Sequence, residues 1–131
     1  MTSPKTPVPK SDRAGGVAHI FAAASYSLAG LRRLFRETAF RHEMILGAAA
    51  VLLLAVLGAT VAEYFVLVGL FLALVAVEAL NTAIECIVDR LSPEWEEYAR
   101  DAKDLGSLAV MCILLCGGLF ILYVILSRIF T

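Results

Sequence analysis

The sequence predicts an all-α membrane protein: an N-terminal interfacial amphipathic helix, three transmembrane helices and a short cytosolic surface helix, assembled as an oligomer. Three observations predict it. The 131-residue chain is 60% hydrophobic, well above a soluble domain. Two apolar runs, Met44–Ala62 and Leu105–Leu126, carry no charge. A third run, between them, carries acids and an amide on a helical period.

Residues 1–16 hold three of the four prolines with Ser, Thr, Lys and a Gly pair, and are expected to form a disordered cytosolic tail. Residues 17–131 are expected to form a single membrane domain. No apolar core or small-residue cleavage site follows the basic residues of the tail, so it does not read as a signal peptide. From Ala18 to Thr38 the apolar positions Ile20 or Phe21, Ala24, Leu28, Leu31, Phe35 and Ala39 follow helical spacing. Arg32, Arg33 and Arg36 take the other faces, as in a helix lying among lipid head groups.

Met44–Ala62 is long enough for a hydrocarbon core of about 30 Å. Glu63 is expected to mark the turn, and the second span to run from about Tyr64 to Val88. Ser92-Pro93-Glu94 has the form of a helix start: a capping Ser, Pro in the first turn and acids after it. A short surface helix through Tyr98 is expected there, followed by the third span, Leu105–Leu126. Ten of the eleven Lys and Arg lie in the N-terminal segment, in the connection between spans two and three, or just beside these, and none lies between spans one and two. By the positive-inside rule the N-terminus is cytosolic and the C-terminus outside.

Net charge is −1, and no nucleic-acid partner is expected. Cys86, Cys112 and Cys116 are an odd set inside or beside apolar runs, which reads as packing rather than disulfides or metal.

The chemistry is concentrated in Leu70–Val88. Glu78, Asn81 and Glu85 are spaced by three and four, so they share one helical face, which Asp89 continues. An ionisable group at the centre of a bilayer costs about 2.5–3.5 kcal/mol on insertion scales, which marks a functional site. Glu37 and Glu43 flank the start of span one, Lys103 and Asp104 that of span three, and the arginines lie at the same level. Such a set suits joining a soluble phosphate donor to a lipid-borne group. Carboxylates can hold Mg²⁺ on phosphates, cations can offset phosphate charge, and a deep carboxylate can accept a proton from an alcohol. No Walker-type or kinase-type glycine loop is present in the sequence.

Glu78-Ala-Leu-Asn81-Thr-Ala-Ile-Glu85-Cys-Ile-Val-Asp89 resembles the ELNTAIExxVD signature of prokaryotic integral-membrane diacylglycerol kinases. Ala102-Lys103-Asp104-Leu-Gly106-Ser107 resembles their AKDxGSAAV motif. Glu37-Thr-Ala-Phe40-Arg41-His-Glu43 resembles their EAAFRQE segment, and Tyr26-Ser-Leu-Ala-Gly30-Leu31 their YSxxGL segment. The likeness covers about residues 17–128. It implies ATP-dependent phosphorylation of diacylglycerol to phosphatidic acid by a homotrimer in the bacterial inner membrane, with MgATP and with active sites shared between subunits.

The resemblance also implies residue roles. Glu78 would be the catalytic base and Asn81 would orient the reacting groups. Glu37 and Glu85 would hold the metal. Lys103 and Asp104 would contact the nucleotide, with His19, Tyr26, Glu94, Trp95 and Glu96 nearby. The lipid would be framed by the interfacial helix, through His19, Ala23, Ala24, Ser25, Tyr26, Ser27, Leu28 and Arg32. Ala39, Phe40, Arg41, Glu43, Glu78 and Ser107 would complete that frame. Position 19 is His where the family has Arg, and position 28 is Leu where Trp is common. The alternatives are an undecaprenol kinase of the same family and, from another class, a small oligomeric cation- or proton-coupled transporter.

Overall fold

The structure is a computed structural model that describes residues 16–130. The expected tail, apart from Gly16, lies outside the described residues. Four helices follow in order: α1 (Gly16–Leu34), α2 (Thr38–Val56), α3 (Val61–Leu91) and α4 (Glu97–Ile129). The last three are long and apolar enough to cross a membrane. α3 packs mainly along α4, with lighter contacts to α1 and α2.

The helix ends differ from the sequence expectation in three places. α1 stops at Leu34, and α2 starts at Thr38, ahead of the expected Met44. The Leu34 and Phe40 side chains are both buried around this bend, and Phe35 meets Phe40 edge-on at 5.3 Å between ring centroids. Aromatic and aliphatic burial closes the corner and places Glu37 at the head of α2.

α2 also ends earlier than Ala62, at Val56. Gly58 takes φ +64°, a left-handed conformation that is costly for any residue with a Cβ, and this reverses the chain. Glu63 is not the turn but the third residue of α3. Thr60 and Glu63 form a capping box: the Glu63 amide donates to Thr60 Oγ1 (3.3 Å), and the Thr60 amide donates to Glu63 Oε2 (2.6 Å). The apolar run hid this stop, because a hydropathy window cannot see a single cap.

Ser92-Pro93-Glu94 starts no helix. Ser92 terminates α3, its amide donating to Val88 O at 2.8 Å, and its hydroxyl pairs with that of Tyr98. Proline disfavours the α conformation in the residue before it, so Ser92 leaves the helix there. The polar segment from Glu97 is not a separate surface helix: it forms the first turns of α4, continuous with the apolar span.

At the end of the bundle opposite this segment, Leu54, Leu67 and Val124 form a buried cluster. Arg128 fastens it. Its Nη2 meets Glu63 Oε2 at 2.6 Å, and its Nε donates to Leu57 O at 3.1 Å, satisfying a carbonyl at the end of α2. Arg128→Ala is therefore expected to lower Tm more than Arg100→Ala, since the partners of Arg100, the carboxylates of Glu97 and Asp101 and the Trp95 ring, are all exposed. Equal melting temperatures for the two variants would contradict this role.

Candidate active site

The acidic face of α3 opens into a cavity of about 230 Å³ at the polar end of the bundle. α3 supplies Glu78, Asn81, Thr82 and Glu85 to its wall. Glu37 and Glu43 reach it from the head of α2, with Ala39 between them, and Ser107 and Val110 close it from α4. The helical period of α3 sets this arrangement: offsets of three, four and seven from Glu78 place Asn81, Thr82 and Glu85 on one side.

Two carboxyl groups are deeply placed. Glu43 is 6% exposed and Glu78 4%. Glu43 lies against the Glu78 carboxyl, and Glu43 Oε2 has no hydrogen-bond partner among the described residues. Glu78 is thus not the lone deep carboxylate that the sequence of α3 suggests, because an acid 35 positions earlier meets it across the helix interface. That pairing is invisible to the period of either helix.

The other two acids are held at the cavity mouth. Arg33 pairs with Glu37 through Nη1, and its Nη2 approaches Cys86 Sγ at 3.6 Å. The hydrogen bond with Glu37 raises the Arg33 pKa further, so its guanidinium stays charged. Asn81 Nδ2 donates to Glu85 Oε1 at 3.0 Å. A carboxylate only accepts, which fixes the orientation of the amide.

Several expected site residues lie elsewhere. Lys103 pairs with Asp89, tying the start of α4 to the end of α3, and Asp104 is exposed. Glu94, Trp95 and Glu96 lie in the exposed connection before α4. Along α1, His19, Ala23, Ala24, Tyr26, Leu28 and Arg32 are exposed and do not line the cavity of their own chain. The Ser25 and Ser27 hydroxyls donate to carbonyls of their own helix. Phe40 is buried at the α1–α2 corner, and Arg41 bonds Thr38 Oγ1 at 3.1 Å. Sequence reasoning missed Thr82. It is 6% exposed, one turn from Glu78, and its place on the acidic face was the available signal.

No group of three His, Cys, Asp or Glu suited to holding a metal ion forms among the described residues. Mg²⁺ on a nucleotide needs less, since it takes one or two carboxylates and fills its shell with phosphate and water oxygens. Glu37 and Glu85, which both line this cavity, fit that requirement.

The family model described as prokaryotic diacylglycerol kinase matches residues 25–126. A protein named diacylglycerol kinase from Sinorhizobium sp. is 51% identical over 111 residues, covering 85% of this chain and 81% of its own. One of the same name from Haemophilus influenzae is 39% identical over 105 residues, 79% of this chain and 89% of its own. A third, from Escherichia coli, is 38% identical over 97 residues, 73% of this chain and 80% of its own.

Proposed function

Because the chain belongs to the prokaryotic diacylglycerol kinase family, we propose that it transfers the γ-phosphate of ATP to the hydroxyl of diacylglycerol, giving phosphatidic acid. The observation that carries this reading is the cavity in which Glu37, Glu43, Glu78, Asn81 and Glu85 converge at the polar end of three apolar helices. An amphiphile with its tails in lipid presents its hydroxyl at that level.

In the reaction the lipid oxygen forms a bond to the γ-phosphorus while the bond to the bridging oxygen of the departing ADP breaks. Glu78 accepts the hydroxyl proton. Asn81 holds Glu85 in place and so orders the mouth of the cavity. Arg33 and Lys103, each paired with a carboxylate at that end, are the cations that can turn to phosphate oxygens. Mg²⁺, when bound, would offset phosphate charge, with Glu37 and Glu85 as its protein ligands. Lys and Arg placement supports a cytosolic N-terminus and a periplasmic C-terminus in the inner membrane.

This reading includes the homotrimer that the family resemblance implies. The geometry changes how its sites would be shared. Glu37 and Glu78 line one cavity of one chain, which favours a site that takes both from the same subunit. The α1 residues that do not line that cavity are the ones left to serve a neighbour. Mixed oligomers of Glu37→Gln and Glu78→Gln chains should therefore stay inactive, while Glu78→Gln mixed with an inactive α1 variant such as Tyr26→Ala should recover activity. Recovery by the first mixture would contradict the assignment.

The functional test is transfer of label from γ-labelled ATP by the purified protein in mixed micelles. Label in the lipid phase supports a lipid kinase. Label that stays in ATP, with none in the lipid phase, would favour the cation- or proton-coupled transporter.

A further inference from the structure

We infer that Gly106 is a positioning residue for the phosphoryl transfer: by lacking a side chain it lets the Asn81 amide lie across α4 and hold Glu85. Gly106 is buried in α4, facing α3. A Cβ placed there would overlap Asn81 Oδ1 and lie 3.2 Å from Asn81 Cγ, but 3.8 Å from its Cα. The conflict is thus with the amide end of the side chain, while the α3 backbone is met at ordinary contact distance. Asn81 Oδ1 is itself buried and without a hydrogen-bond partner among the described residues. It lies there because Nδ2 is committed to Glu85 Oε1, 3.0 Å away.

Adding one methyl group at position 106 has a directed consequence. The helix gains a better helix former, and the amide must rotate out of its place. The bond to Glu85 is lost with it, and Glu85 loses its fixed orientation at the cavity mouth. Ser107, the next residue, lines the cavity, so the close approach of α4 at Gly106 also sets that wall.

The inference rests on the lipid kinase reading for its kinetic part and on packing alone for its structural part, and the experiment separates them. Gly106→Ala is expected to lower kcat by about 10- to 100-fold, with the KM for lipid little changed and the Mg²⁺ needed for half-maximal rate raised. Its Tm should fall in the otherwise unaltered chain but not in an Asn81→Ala background, where the amide is gone. A Tm loss of equal size in both backgrounds would make Gly106 a general packing residue and overturn the inference. So would unaltered kcat and Mg²⁺ dependence in an active protein. If the unsubstituted protein phosphorylates no lipid, the functional reading fails, and the paired Tm measurements alone decide whether Gly106 accommodates Asn81.

Discussion

Glu78→Gln is expected to abolish lipid phosphorylation while leaving the protein folded and assembled. Glu78 is 4% exposed, inside the cavity and against Glu43. Gln preserves the shape, and its amide can donate to the facing Glu43 carboxyl, so the packing survives. What it cannot do is accept the hydroxyl proton. Loss of a general base costs about 10²–10⁴-fold in rate. The loss should appear in kcat, with helicity, elution volume and lipid KM close to those of the unsubstituted protein. A well-folded Glu78→Gln protein with near-normal turnover would remove Glu78 from the chemistry.

The second large effect concerns Glu37 and Glu85. Glu37 precedes α2 and Glu85 lies on α3; both line the cavity, and each is held by a neighbour, Arg33 for one and Asn81 for the other. If both serve one Mg²⁺ on the nucleotide, either Glu→Gln substitution should lower kcat and raise the Mg²⁺ requirement. The double variant should then be little worse than the poorer single one, because residues that share a function are not additive. Losses that multiply, with unchanged metal dependence, would show that the two carboxylates act separately.

Much of this was legible in the sequence because the strongest signals are periodic. The spacing of Glu78, Asn81 and Glu85 places them on one face of any helix, and the three apolar runs are long enough to leave no other fold class. The motif around Glu37 puts that acid before the first span, near the end of the expected interfacial helix, whereas the structure puts it at the N-cap of α2. What escaped was set by single residues or by contacts between elements. Gly58 and Thr60 end one helix and start the next inside an apolar run, so the boundary moved by six residues. Pro93 acts on Ser92, turning an apparent N-cap into the end of α3. Glu43 reads as a flanking charge until α2 packs against α3 and buries it on Glu78. Gly106 reads as one motif letter until the Asn81 amide is seen lying where its Cβ would be. The α1 residues were placed at the lipid by likeness, yet in a single chain they stand away from the cavity. The period of a helix tells which residues share a face but not which neighbour covers it.

The central claim is that this carboxylate cavity phosphorylates diacylglycerol. The most direct measurement presents diacylglycerol and undecaprenol together, in equal amounts in one micelle, to the purified protein with γ-labelled ATP and Mg²⁺, and identifies the labelled lipid. The expected result is label predominantly in phosphatidic acid, and none with Glu78→Gln. Label predominantly in undecaprenyl phosphate, or in no lipid at all, would contradict it.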